Sequence, residues 1–503
     1  MTYSRRDILR YMGLAALETS CIQPRPESRL LPSLAPLPTP FQVPLPILPN
    51  LKPSRLDPDT DYYDVTVRPS STRILSGLDT AIWGYDGIFP GPTIQARVGR
   101  RVSLLLRNTL PVPIVNHLHG GRTAPESDGY PTDLILPAGG FPHSHMNDPM
   151  AKIAEGSREY IYANQQRAAT LWYHDHRMDF TAPQLWRGLA GFYILRNPEE
   201  ERLRLPQGDK EIALLICDRS FEADGSFRYP ALDPSLRATP GVEAAYMGGV
   251  LGDVILVNGA PWPKLEVSNV KYRFRILNAS NARRYELQLD SADPVSFTQI
   301  GSDGGLLATP LPQHAIRIAP SERFDVIVDF SKCRLGSRVT LVNREADGPA
   351  FRIMRFDVVR SERDDSNLPA QLSEPSFEMP GQATVTRVLD FSYQRSSHSW
   401  RINGQPFDPS RMDARPKLDA LEIWRLQTDF SHPLHLHSVH FQVLGHSGRP
   451  GPYDAGWKDT IDLGPGQVAN ILVRFTGYRG RYVFHCHNLE HEDMSMMGNF
   501  EVV

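Results

Sequence analysis

Short apolar runs dominate the chain, and most of them alternate with polar residues at a period of two. "DYYDVTVRP", "IYANQQ", "GFYILRN", "EIALLICDRSF", "KYRFRILNAS", "FDVIVDF", "RVTLVN", "LEIWRLQT", "NILVRFTG" and "RYVFHCH" are examples, rich in β-branched and aromatic residues and separated by Gly, Pro, Asn and Asp. A pleated strand sends successive side chains to opposite faces, so the alternation predicts half-buried strands. Their spacing predicts antiparallel β-sandwiches or barrels, an all-β fold without long helices.

One unit of this pattern recurs. "DVILVNGAPWP" and "HSWRINGQPFD" each place a strand pair at a VNG or ING turn, with an R-F/Y-x-V/I strand later on. The repeat predicts three related domains at about 55–197, 205–360 and 380–503, and a chain of 503 residues is in any case long for one core. Ahead of them, residues 31–54 contain "LPSLAPLPTPFQVPLPILPNLKP". That proline density excludes helix and central strand, and predicts an extended lead segment lying along the domain surface.

Charge narrows the partners. With 54 basic against 57 acidic residues the net charge is −3, and no basic block offers a surface for nucleic acid or an anionic membrane. No apolar stretch approaches the roughly 20 residues of a membrane helix. Small neutral or weakly charged molecules fit better, acted on by a monomer. Within residues 1–30, "SRRDILRYMGLAAL" resembles a twin-arginine export signal, which implies a periplasmic, extracellular or cell-envelope location. Cys21 follows "LETS", a poor lipidation site because Glu18 stands where an aliphatic residue is usual. Cys217 and Cys333 are either a disulfide pair or two buried thiols.

The candidate chemistry lies in the histidines. Ten of the 16 fall into four tight groups: "NHLHG" (His117, His119), "WYHDH" (His174, His176), "HPLHLH" (His432, His435, His437) and "HCHNLEHEDMSM" (His485, His487, His491). On a strand, H-x-H directs both imidazoles to one side, so His485 and His487 face one way and Cys486 the other. One H-x-H pair is commonly coincidence. Four of them, one wrapped around a cysteine, are not.

A thiolate, two imidazoles and a long axial thioether make a mononuclear blue-copper ligand set. Cys486 and His491 supply two members, and His432, the odd residue of "HPLHLH", is the candidate for the third. Met496 is the spacing-favoured axial residue, with Met494 and Met497 as competitors. The remaining eight histidines suit a cluster of several copper ions. Zinc is the chemical rival, but structural zinc sites use compact four-ligand sets, and ten histidines with one cysteine do not match them.

These four motifs, in this order, resemble those of the three-domain multicopper oxidases. "FPGPTI", "GLAGFY", "GSDGGLL" and "APSERFDVIVDF" are most similar to the spore-coat laccase and bilirubin oxidase branch. The resemblance implies three cupredoxin-like Greek-key domains and four copper ions. Type 1 copper would take His432, Cys486, His491 and Met496, and type 2 copper His117 and His435. The paired type 3 ions would take His119, His176 and His487 on one side, and His174, His437 and His485 on the other. Electrons would pass from a reducing substrate through Cys486 to His485 and His487 and on to dioxygen. Glu492 and Asp128 would relay protons, with Asp175 and Asp459 as anchors for the imidazoles.

The implied activity is laccase-like oxidation of phenols, aminophenols, aromatic amines or bilirubin-like pigments. Spore coat is an alternative location on the same ground. A metallo-oxidase for cuprous ion or manganese is the runner-up, and 12 methionines without a run do not favour it. A copper-storage or electron-transfer protein would need only one kind of site. His143 and His145 in "FPHSHMNDPM" form a further pair in a loop, while His314, His398, His440 and His446 read as ordinary fold residues.

Overall fold

The structure, a computed structural model, describes residues 27–141, 148–446 and 449–503. Most of the expected export signal, Cys21 and the His143/His145 pair lie outside these ranges.

The alternating runs form strands. "TIQARVGRRVSLLLRN" divides into Gly91–Arg97 and Arg101–Asn108, with Gly99 at φ +76° turning the chain between them. The two Asn-Gly turns are close copies of each other. Asn258 and Gly259 (φ 51° and 83°) and Asn403 and Gly404 (φ 52° and 73°) are consecutive left-handed residues, as a tight hairpin of right-twisted strands requires.

The sheets fall into three groups along the chain, each a pair of layers around its own core. The first couples a five-stranded sheet to a four-stranded one, the middle group an eight-stranded to a five-stranded one, and the last a five-stranded to a four-stranded one. Leu104, Leu106, Leu171 and Tyr193 are among the residues packed in the first core. Ile216, Leu256, Phe274 and Val326 belong to the middle core, and Trp424, Leu434, Ile471 and Phe484 to the last.

The antiparallel pairing expected from the sequence dominates, but each sheet group also contains parallel pairs. Thr60–Thr72 lies parallel to Arg101–Asn108, Glu211–Phe221 to Lys271–Asn278, and Val385–Gln394 to Leu421–Thr428. The route is the same each time: a strand, its hairpin partner, a passage over the facing layer, then a return beside the first strand in the same direction. Such a return cannot be made by a tight turn, so alternation alone does not reveal it.

The proline-rich segment is extended along the surface, as expected. Arg29–Leu31 pairs parallel with Val250–Gly252, and Pro44 and Asn50 bridge Lys264 and Thr93. Cys217 and Cys333 are free thiols, which settles the pairing question against a disulfide. Among the described residues no helix is long and apolar enough to cross a membrane.

Candidate metal centres

The histidine groups sit on or just beyond strands of the first and last sheet groups, except for His491, which lies on the short helix Leu489–Asp493. His117 and His119 lie on Asn116–His119, and His174 stands directly opposite His117 on the antiparallel strand Ala169–Asp175. His435, on His432–Leu436, stands opposite His485 on Gly480–Cys486. His176, His437 and His487 each follow one of these strands by one residue. All eight rings are buried, at 0 or 1% exposure.

Their nitrogens converge. His176 Nε2 and His437 Nε2 each lie 3.2 Å from His485 Nε2. His117, His119 and His174 form a second group, and His117, His435 and His437 a third, within 4.8 Å between ligand atoms. These distances group the rings differently from the expected split: the ligand atoms of His176 lie with those of His437 and His485 and form no such group with His119 and His487. The antiparallel register seats His174 against His117 and His119, whereas His176, beyond the strand end, reaches the rings of the last sheet group.

Seven of the eight imidazoles meet an oxygen on their outer side, His174 through the Asp175 carbonyl at 2.8 Å; His487 does not. The ring of His117 meets the Asp128 carbonyl through Nδ1 at 2.6 Å, and His437 Nδ1 meets the Asp128 carboxylate at 2.8 Å. The Asp459 carboxylate is 3.1 Å from His119 Nε2, and its carbonyl is 2.9 Å from His435 Nδ1. Glu492 spans two further rings, 3.4 Å from His176 Nδ1 and 3.1 Å from His485 Nδ1. Asp175 touches no ring nitrogen through its carboxylate; it accepts from the backbone N–H groups of Val115 and Arg177, fixing the strand ends.

The inner nitrogens are left without partners: Nε2 of His117, His174 and His435, Nδ1 of His119, and both nitrogens of His487. Buried polar atoms are rarely orphaned, and several of them gathered in one buried cluster of imidazoles are what bound cations would satisfy. Burial also fixes their chemical form. It holds the His117, His119, His174, His437 and His487 imidazoles well below their ordinary value and brings His176 down to about 4. These six rings are neutral at pH 7, with lone pairs free to ligate.

The acids differ among themselves. Burial pushes the Asp128 carboxyl up to about 8. Burial would raise Glu492 too, but the neighbouring His176 and His485 outweigh it and bring it to about 2.

The second centre lies on the other face of Gly480–Cys486. His432 Nδ1 is 3.3 Å from Cys486 Sγ and 3.1 Å from His491 Nδ1, and Sγ is 3.6 Å from His491 Nδ1. All three are buried. Burial pushes the Cys486 thiol up, so a thiolate here needs a cation beside it. Met496, fully buried, is held next to this triad by two backbone bonds, Cys486 N–H to the Met496 carbonyl and Met496 N–H to the His491 carbonyl. Met494 is only partly buried, and Met497 pairs with His485 in the adjoining strand.

Residues 66–200 and 377–503 each match a multicopper oxidase domain family. The chain is 37% identical to the laccase of Bacillus subtilis (strain 168), over 91% of this chain and 97% of that one. The chain belongs to the multicopper oxidase family. This oxidase is also 33% identical to the bilirubin oxidase of Albifimbria verrucaria, over 92% of its own length and 81% of that relative. Its fold superposes on the crystal structure of a laccase from Pediococcus acidilactici with a TM-score of 0.80, at 32% identity, covering 94% of this chain and 96% of that one. The cupredoxin-like layers and the clusters of His and Cys fit copper.

Two parts of the oxidase's site were not legible as such in the sequence. Arg323, from the middle sheet group, places Nη1 2.8 Å from the Asp459 carboxylate that holds His119. Trp400 stacks on His491 with ring centroids 3.6 Å apart. The one signal for Arg323 is an arginine opening a strand that is buried over all but its last residue, "RFDVIVD". Of the residues set aside, His446 pairs with Asp454 at 3.0 Å, His314 and His398 are exposed, and His440 is buried 3.9 Å from Asp459.

Proposed function

We propose that the two centres divide the work of a laccase-like oxidase: uptake of single electrons from aromatic reductants at Cys486, and four-electron reduction of dioxygen at the eight histidines. His432, Cys486, His491 and Met496 would hold type 1 copper, and His117 and His435 type 2 copper. The paired type 3 ions would rest on His176, His437 and His485, and on His119, His174 and His487. When bound, copper supplies the one-electron acceptor at the first site and the oxygen-reducing centre at the second.

The observation that carries this reading is the strand end His485-Cys486-His487. His485 joins the nitrogens of the eight-histidine cluster while Cys486 joins His432 and His491. The chain itself thus connects the two centres through adjacent residues. Around them, the backbone and the outer hydrogen bonds fix each ring, and burial excludes water. Glu492 and Asp128 are assigned to proton delivery, since each is a buried carboxyl group at the cluster edge. The reading extends to three domains at about 55–197, 205–360 and 380–503, and to a monomer exported beyond the cytoplasmic membrane.

The test is an absorption spectrum of the copper-loaded protein followed by oxygen uptake with a phenolic donor. An intense blue band and phenol-driven oxygen consumption are expected. A colourless protein that consumes no oxygen at full copper loading overturns the reading.

A further inference from the structure

A reductant in solution meets neither imidazole of the Cys486 centre. His432 is 0% exposed and His491 2%. The outer Nε2 of His491 is closed off by the Gly248 carbonyl and the Asn488 amide, each 3.2 Å away. Some other group must join this centre to the surface.

Trp400 makes that junction. Its ring lies on His491 at 3.6 Å and 29°, and meets His432 edge-on at 5.4 Å. It is the one ring other than histidine that contacts either imidazole among the described residues. Trp400 is itself buried, with Nε1–H donated to the Met247 carbonyl at 3.1 Å. Directly across the hairpin stands Tyr393, its ring 4.8 Å from that of Trp400. Tyr393 is only half-buried, and its hydroxyl reaches exposed His398 at 3.1 Å. Half-buried Phe430 adds a third ring, 5.7 Å from Trp400 and 6.3 Å from Tyr393. A continuous set of π-systems therefore runs from His491 to a surface floor of Tyr393 and Phe430.

We propose that Trp400 is the electron-uptake ring of this oxidase, and that an aromatic donor, a phenol or an arylamine, stacks on Tyr393 and Phe430 to reach it. The proposal rests on the oxidase reading above and names its donor site. With copper bound, a phenol would lose one electron in each event, and the electron would cross Tyr393 and Trp400 to His491, where a cupric ion held by His432, Cys486 and His491 would supply the one-electron oxidant. The phenol's O–H proton goes to water and a phenoxyl radical departs. Tyr393 and Trp400 are left unchanged.

The rival donor site is the 720 Å³ cavity lined by Arg284, Ser431, Tyr453 and Asp462. It approaches His432 through Ser431 and the Arg284–Asp462 ion pair, and offers no ring in contact with the imidazoles.

The experiment compares copper-loaded Trp400→Leu, Trp400→Phe, Tyr393→Leu and Tyr453→Leu with the parent. The readouts are the reduction potential of the blue centre and the anaerobic rate at which 2,6-dimethoxyphenol bleaches it. Trp400→Leu should slow bleaching by about tenfold or more at unchanged potential, a barrier effect and not a loss of driving force. Trp400→Phe, which keeps a ring, should recover most of the rate. In the copper-free protein, 4-fluorophenol followed by fluorine NMR should bind the parent and Tyr453→Leu alike. It should bind Tyr393→Leu roughly fivefold more weakly, the size of one lost aromatic contact. Parental bleaching in Trp400→Leu overturns the proposal, as does fluorophenol binding lost only in Tyr453→Leu. A parent without a blue band removes the oxidase reading and this inference together.

Discussion

Arg323 and Asp459 form a fully buried ion pair, Nη1 to Oδ1 at 2.8 Å, that ties the middle sheet group to two rings of the eight-histidine cluster. Asp459 holds His119 from the first group and His435 from the last. The pair is thus where all three parts of the chain meet. Burial would raise the Asp459 carboxyl, but Arg323 outweighs it and keeps the group well below the usual carboxylate range.

Removing the cation should therefore be costly. In Arg323→Met the carboxylate loses its counter-charge at 0% exposure, a situation that destabilises proteins by about 3–5 kcal/mol. Asp459, which holds His119 and His435, is then no longer fixed by the middle sheet group. The expected result is a lowered thermal midpoint and a loss of copper from the eight-histidine cluster, with the blue band retained. Copper analysis beside the absorption spectrum checks it.

Gly120 reports on the same junction by crowding. Its φ of +81° suits glycine, and an added Cβ would lie 2.7 Å from Arg323 Nη2 and 2.8 Å from Asp459 Oδ2. Gly120→Ala should destabilise by about 1–3 kcal/mol from backbone strain alone. If it also lowers cluster copper as Arg323→Met does, the pair's geometry matters and not only its charge. Normal copper content in a destabilised Gly120→Ala protein would leave the charge as the sole requirement.

Cys486→Ser separates the two centres. A hydroxyl is a poor substitute for a thiolate on copper, and the other face of the strand is unchanged. The variant should lose the blue band and one copper ion, keep the cluster copper, and stop consuming oxygen with phenols. Loss of all copper would show that the cluster cannot assemble without the Cys486 centre.

Much of this site was legible because its residues follow a strand's period of two. Cys486 and its flanking histidines fall on opposite faces whatever the rest of the chain does. The "VNG" and "ING" turns were legible for a similar local reason, since Asn-Gly adopts the left-handed pair that a tight hairpin needs. The grouping of His176 with His437 and His485 was not, because His176 follows the end of Ala169–Asp175 and its partners come from strands more than 250 residues away. Arg323 and Trp400 escaped for the same cause. Trp400 carries no local signal and Arg323 only its place at the start of a strand, and each acquires its role only when separate sheet groups pack together. The parallel returns, such as Thr60–Thr72 beside Arg101–Asn108, are likewise set by the path between layers.

Away from copper, Glu200 should give the fold a measurable acid dependence. It sits in the short helix Pro198–Arg202, 6% exposed, with Oε1 2.7 Å from Arg273 Nη1 and 2.6 Å from Arg275 Nη2. Burial would raise its carboxyl, but Arg273 and Arg275 outweigh it and bring the group from 4.5 to about 2. The folded value lies below the unfolded one, so the ionised form stabilises the fold. That contribution is complete above pH 4.5 and is lost as the pH falls towards 2, and the difference corresponds to about 3 kcal/mol. Glu200→Gln should then unfold at a lower temperature than the parent at pH 6, with the gap closing as both are acidified through this window. Thermal melts at stepped pH, followed by circular dichroism, read this directly. A gap that stays constant down to pH 2.5 would mean that the carboxylate's charge contributes nothing and that only its hydrogen bonds matter.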